Sequence, residues 1–534
     1  MTPGNLRSKM LRIRGLAFVC AAVTLTSVAS AASPSLPRWG APILVGQLPA
    51  VGTATELKTV DVNGDGLRDV IVVQLLWPTY DTFPLTILLN KGGGRFVDAT
   101  STLFEGPGVR TQWPRAIVVA DFNGDRRPDI FIVDTGTDIA PYHGHQNELA
   151  LSTPSGKLVD ATANLPQQKS FTHSAAAADV DGNGTVDLFL GNFPCCGDDR
   201  TPPQVLLNDG TGRFAAATDR LHDVPLDRWG NFFHTASAFA DVNRDGSPDL
   251  VLGAGDNVAR SVVALNDGRG NFSAQSQALP DGVYGPGKGI VLDIAPIDLN
   301  GDGAVDLLFA ETPVDPYYVG TRIQVLINDG GGKFRDETAA RFPDQPSGRG
   351  WPNRLLVEDV NNDGAADLAV QYAPPGISPE IESTPFWLND GHGVFHAIRG
   401  PISPAEAPLR GPAGFVDGAG AHAVFFLEGD PSGVARRYWV APQLVAPAAP
   451  AGVRATRTLA SGIRVSWQAV QGAARYEVWR SASRGGFRSR VGVTTAISFL
   501  DRTARRGAIY YYAVRAVNPG GKSGFSAPVL GRRR

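Results

Sequence analysis

Asp61-Val62-Asn63-Gly64-Asp65-Gly66-Leu67-Arg68-Asp69 sets Asp or Asn at its first, third, fifth and ninth places. Five more copies follow: DFNGDRRPD from Asp121, DVDGNGTVD from Asp179, DVNRDGSPD from Asp241, DLNGDGAVD from Asp298 and DVNNDGAAD from Asp359. Their starts are 60, 58, 62, 57 and 61 residues apart, and a steady period of this size marks a repeat architecture. A seventh stretch, FVDGAGAHA from Phe415, keeps the glycines and Asp417 but loses the other carboxylates.

Each copy runs into a short aliphatic segment, such as Val70 to Val73 or Leu250 to Leu252, which reads as a buried strand. Further on, Asn90, Asn208, Asn266, Asn328 and Asn389 open a Gly-rich turn that ends in Phe. These turn residues accept positive φ cheaply and signal a hairpin. Repeat 2 departs, with Ser152-Thr153-Pro154 at this place. One repeat therefore holds a strand, the Asp loop, a strand, a variable loop, a strand, the Gly-rich turn and a strand. Seven such units predict an all-β, seven-bladed β-propeller, because radial repetition leaves only short sheet edges. Ala41 to Leu48 is expected to complete the last blade and close the ring.

The two signatures resemble the FG-GAP and VCBS repeats of integrin α-chain propellers and of many secreted bacterial proteins. The resemblance covers residues 37–444. It implies that the face opposite the Asp loops meets partners.

Alternating oxygens on a tight loop, with one backbone carbonyl at the seventh place, suit a hard cation, and calcium is the natural occupant. The expected ligands are Asp61, Asn63, Asp65, Leu67 and Asp69 in the first loop, and Asp121, Asn123, Asp125, Arg127 and Asp129 in the second. The third and fourth offer Asp179, Asp181, Asn183, Thr185 and Asp187, then Asp241, Asn243, Asp245, Ser247 and Asp249. The fifth and sixth offer Asp298, Asn300, Asp302, Ala304 and Asp306, then Asp359, Asn361, Asp363, Ala365 and Asp367. An Asx-turn that shapes a hairpin without metal needs no such clustering of like charges, which repel at close range. Up to six calcium ions are expected, with weaker sites where Arg126 and Arg244 enter the loops, and none in the seventh copy.

The chain has 534 residues, and 49 Lys and Arg against 52 Asp and Glu give a net charge of −3, so no basic field invites nucleic acid. Arg7, Lys9, Arg12 and Arg14 precede an apolar run from Leu16 to Val28 and then Ala29-Ser30-Ala31, which reads residues 1–31 as a secretory signal. That run is shorter than a membrane span. The expected setting is secreted, whether periplasmic, cell-surface or extracellular. After export, Cys195 and Cys196 are the remaining cysteines. Adjacent cysteines in an oxidising compartment can form a vicinal disulfide, pair between chains or stay reduced.

An Ala/Pro-rich linker spans residues 445–452, and residues 453–531 show strand patterns around Trp467, Tyr476 to Trp479 and Tyr510 to Val514. This part resembles a fibronectin type III domain, an immunoglobulin-like β-sandwich, which implies Trp467 as its core residue and Tyr510 as a corner tyrosine.

Six to eight residues before the Asp loops stand Trp113, Arg115, His173, His234, Trp351 and Asn353, with Arg354 following. The variable loops add Trp77, Tyr80, Tyr142, His143, His145, Tyr317, Tyr318 and Tyr372. Aromatic planes beside Arg, Asn and His suit sugar rings or peptide segments. The expected function is a binding or adhesion module for a carbohydrate or an extracellular protein. GxSxG, HExxH and phosphate-loop motifs are absent from the sequence. The alternative is a carbohydrate-active enzyme such as a polysaccharide lyase, with Arg115, His173, His234 and Arg354 as candidates for proton transfer or uronate binding.

Overall fold

A computed structural model describes residues 38–39, 43–48, 52–76, 79–221, 224, 234–256, 260–274, 279–346, 349–361, 363–372, 386–398, 413–417, 422–429, 435–444, 446–487, 489–518 and 521–534. The expected signal segment and Trp77 lie outside these residues, as does the Cys195 side chain.

From Thr53 to Ile398 one antiparallel plan recurs in six sheets. The first joins Thr53–Val60, Asp69–Leu75, Thr86–Asn90 and Phe96–Asp98 in chain order. Its second strand, DVIVVQL, is buried along its whole length, as a strand covered on both faces should be. A seventh sheet draws on both ends of the repeat region. Ala413–Asp417, His422–Gly429 and Ala435–Leu444 pair in order, and Ile43–Gln47 and Arg38–Trp39 add to Ala435–Leu444. The N-terminal strand thus completes the last sheet.

Hydrophobic clusters lie between consecutive sheets rather than inside any one of them. Ile71 and Val73 of the first sheet meet Ile130 and Ile132 of the second. Leu57 and Val72 of the first meet Phe425 and Val440 of the seventh, so the cycle of cores closes.

Hydrogen bonds follow the same cycle. Asn208 Nδ2 donates to Val186 O of its own Asp loop and to Phe122 O of the preceding one. Asn266 does so to Pro248 O and Val180 O, and Asn328 to Val305 O and Val242 O. Asn90 Nδ2 donates to Arg68 O and, across the closure, to Asp417 O. Asp417 therefore fills the place held elsewhere by the second residue of the loop, which shifts the seventh copy one residue from its sequence alignment. Arg68 reinforces the closure, pairing with Asp417 at 3.2 Å and Glu358 at 3.0 Å.

From Arg454 onward a three-stranded and a five-stranded sheet share one core containing Trp467, Tyr476, Val478, Tyr512 and Val514. Trp467 is buried as expected. Tyr512 rather than Tyr510 carries the buried hydroxyl bond, donating to Asp501 Oδ2 at 2.7 Å. Tyr510, two residues earlier on the same face, packs half-buried at the edge of this core, where the Arg480 guanidinium covers its ring at 4.6 Å.

Candidate functional site

The ninth residue of each Asp loop is a buried staple. Asp187 accepts from Val180 N at 3.1 Å and Asn208 N at 2.8 Å, and Asp69, Asp249, Asp306 and Asp367 repeat the pattern. In the second loop Ser152 replaces Asn, yet the staple is whole: Phe122 N and Ser152 N donate to Asp129 at 2.7 and 2.6 Å, and the Ser152 hydroxyl adds a bond to Oδ1 at 2.7 Å. Burial pushes Asp69, Asp187 and Asp249 up to about 6 and Asp367 up to about 7.

The first residue shapes the loop. Asp61 accepts from the N–H groups of Gly64, Asp65 and Gly66, while Asn63 Oδ1 and Asp65 Oδ1 accept from residues two further on. Gly64 and Gly66 take φ of 77° and 83°. Arg244 and Arg126 stand at these two places in other copies, at φ of 62° and 66°, where a side chain costs about 1–2 kcal/mol. Each loop thus gathers carboxylate, amide and carbonyl oxygens, a donor set that fits a hard divalent cation. In the third loop the carboxylates of Asp179, Asp181 and Asp187 lie within 4.8 Å of one another, because Asp181 stands where the others have Asn.

At the opposite ends of the inner strands, a β-bulge recurs six residues before each of the six Asp loops. It falls on Thr55, Arg115, His173, Thr235, Leu292 and Asn353, between ladder pairs such as Pro114–Asp134 and Ala116–Val133. A bulge inserts one residue and re-aims its side chain, here toward the ring axis. Five of these six residues line an axial cavity of about 740 Å³. Trp113, Tyr142, Phe171, Phe193, Tyr317, Tyr318 and Trp351 form its aromatic wall.

Trp113 stacks on Tyr80 at 5.5 Å, and its backbone N–H donates to Asp134 Oδ1. Trp351 meets Tyr318 edge to face at 5.2 Å. Tyr80, Tyr142 and Tyr318 all have positive φ, between 55° and 61°, a conformation uncommon for bulky residues and found at ligand clamps. The Arg115 guanidinium lies 5.9 Å from the Trp113 ring centre and is ion-paired with Asp138. His173 stacks on Phe193 at 3.9 Å, and burial, with Arg115 adding to it, holds its imidazole well below the ordinary range. Its Nε2 is buried without a hydrogen-bond partner. Asn353 Nδ2 reaches Thr55 O, Glu56 Oε2 and Gln371 Oε1.

Two expected residues stand elsewhere. His234 precedes the bulge by one residue, so alternation buries it between sheets while Thr235 takes the axial place. Arg354 follows the bulge and enters a deeper, contiguous cavity of about 400 Å³. There it pairs with Glu56 at 3.2 Å, and Asp293 accepts from the adjacent Leu355 N–H. Desolvation raises Glu56 to about 7 although Arg354 opposes it. Thr55, Asp138, Phe171, Phe193, Thr235 and Asp256 line the main cavity without having been singled out. Counting back six residues from each loop finds Thr55 and Thr235, and counting back eight finds Phe171 at the offset of Trp113 and Trp351; Asp138, Phe193 and Asp256 sit on loops or a second strand without a common offset. Cys196 also lines the cavity. The Cys195–Cys196 pairing lies outside the described residues.

The family pattern described as FG-GAP-like repeat matches residues 61–132, 241–309 and 298–370. An integrin alpha pat-2 of Caenorhabditis briggsae is 28% identical over an alignment of 221 positions that covers 36% of this chain and 17% of that protein. The chain spans less than a fifth of the length of the curated relatives it matches. Among solved structures, an Agrocybe aegerita lectin described as recognising non-reducing terminal N-acetylglucosamine matches 66% of this chain and 82% of its own, at 20% identity and a TM-score of 0.42. The exotype rhamnogalacturonan lyase YesX matches 91% and 90%, at 12% identity and a TM-score of 0.33. With its recurring Asp loops, all-β sheets and matched stretches, the chain carries FG-GAP-like repeats.

Proposed function

We propose that the protein is a secreted, calcium-binding β-propeller that captures a carbohydrate at the ring axis, with the C-terminal sandwich serving as a fibronectin type III spacer or docking unit. One observation carries the reading: the bulges aim Arg115, His173 and Asn353 into the same 740 Å³ cavity that Trp113, Tyr318 and Trp351 wall with aromatic surface. Sugar rings need both features, an apolar plane for their C–H faces and polar tips for their hydroxyls. Calcium would be held by the first, third, fifth and ninth side chains of each Asp loop with the seventh carbonyl. Its role would be to neutralise the clustered carboxylates and stiffen the hairpin. A glycan-array screen followed by calorimetry tests the site. Trp351→Ala should abolish binding of any glycan captured, and a folded wild-type protein that captures none would refute the reading.

A lyase reading draws on one observation, the neutral and unpartnered His173 imidazole beside Arg115, which has the form of a general base. Against it, Arg115 is already neutralised by Asp138, which weakens its hold on a uronate carboxylate. Unsaturated uronate detected by ultraviolet absorbance on incubation with acidic polysaccharides would reverse the preference.

A further inference from the structure

Behind the aromatic wall, at the root of the second variable loop, Asp134, His145 and Glu148 bring ligand-type atoms within 4.8 Å of one another. Asp134 closes the strand Asp129–Asp134, Glu148 opens the strand Glu148–Ser152, and His145 sits in the loop between them. His145 Nδ1 faces three oxygens at once: Gln146 O at 3.0 Å, Glu148 Oε1 at 3.1 Å and Asp134 Oδ2 at 3.4 Å. A neutral or protonated imidazole has at most one proton on that nitrogen, so electron-pair donors outnumber protons where they converge. Glu148 is 4% exposed, and its Oε2 is buried with no hydrogen-bond partner. An orphaned carboxylate oxygen of this kind is costly unless something positive meets it.

We propose that Asp134, His145 and Glu148 form a site for a divalent transition metal of the zinc type, distinct from the Asp loops. The donor set is mixed nitrogen and oxygen, which suits zinc better than the oxygen-only set suited to calcium. Donors held roughly 2.0–2.2 Å from a tetrahedral ion stand about 3.4 Å apart. The observed separations of 3.1 and 3.4 Å have that scale. The backbone fixes Asp134 independently, since Gln112, Trp113 and Gly136 N–H groups donate to it and Asn147 Oδ1 accepts from its N–H. A bound ion would clamp both ends of residues 135–147, the loop that delivers Asp138 and Tyr142 to the cavity. This holds whatever the cavity itself binds.

Calorimetric titration of the full-length protein with Zn²⁺ in excess calcium should show one binding step of roughly one ion per chain. Glu148→Gln and His145→Gln should each remove that step. X-ray absorption of the zinc-loaded wild-type protein needs no variant, and should show one imidazole with otherwise oxygen ligands. Absence of the step, its persistence in both variants, or a zinc shell without imidazole would overturn the proposal.

Discussion

Replacing Asn266 by Ala tests whether the Gly-rich turns, and not the strands alone, hold neighbouring sheets together. Asn266 is 3% exposed and uses four hydrogen-bonding positions. It donates to Val180 O at 2.8 Å and Pro248 O at 3.1 Å, and accepts from Gly268 and Gly270 N–H at 3.0 Å each. Each net bond contributes about 1 kcal/mol, and an orphaned buried partner costs about 1–3 kcal/mol. Gly268 is partly exposed, so water can replace one of the four. The expected loss is about 3 kcal/mol. Asp267, its neighbour in the same turn, accepts from Arg269 N and Asn271 N but is exposed, so Asp267→Ala should cost within about 0.5 kcal/mol. A domain of this size has a larger unfolding entropy than those for which 1 kcal/mol shifts the midpoint about 2–4 °C, so Asn266→Ala should lower it by about 3–6 °C. Scanning calorimetry reads both variants side by side. If the two midpoints coincide, the cross-sheet bond to Val180 contributes nothing and the account of ring cohesion fails.

Calcium addition should raise the melting midpoint more at pH 8 than at pH 5. Burial lifts Asp69, Asp187 and Asp249 to about 6 and Asp367 to about 7, above the 3.8 of free Asp, so the folded state binds extra protons. Stability from these groups is full below pH 3.8 and is lost as pH rises through 6 to 7, the window in which a cation can replace the protons; equal gains at both pH values would contradict this. Gly253→Ala should destabilise by about 1–3 kcal/mol, because its Cβ would stand 2.6 Å from Val291 Cγ1 in the next sheet. Urea midpoints read the loss, and Val291→Ala in the same chain should not restore it, because Val291 Cβ itself would stand 2.7 Å away. Desolvation favours the neutral form of Glu477, but hydrogen bonds from Arg515 and Arg490 outweigh it and hold the group at about 2. Its contribution is present above pH 4.5 and lost as pH falls through 2, so Glu477→Gln should narrow the difference between wild-type urea midpoints at pH 5 and pH 2.5.

Period and turn chemistry made the sheets legible before any coordinates, because each repeat states its own strand order. What the spacing hid was the division of labour inside the nonapeptide. All four Asp or Asn places look alike in sequence, yet the first folds the loop, the third is half-buried, the fifth is largely exposed, and the ninth is buried against the Asn turn. Burial decides this, and burial depends on the neighbouring sheet. Ser152 shows the same limit from the other side: read as a lost signature, it still reaches Asp129 through a hydroxyl.

The axial site was legible in kind but not in register. Sequence placed the relevant residues at offsets of five to eight from the Asp loops, a range that spans both faces of a strand. The structure keeps six and eight, where bulge residues and Trp113, Phe171 and Trp351 line the cavity, because the bulge at six re-aims its side chain in sheet after sheet. His234 at seven and Arg354 at five then fall out of the main cavity for one reason, and Thr235 enters it for the same one. A bulge fixed by the backbone leaves the residue it carries free to vary. Thr, Arg, His, Thr, Leu and Asn occupy the six positions, and the ladder resumes beyond each of them toward the Asp loop. The lining of the axial cavity can therefore change one residue at a time at the bulges, while the Asp loops and Asn turns on the opposite face keep the sheets together.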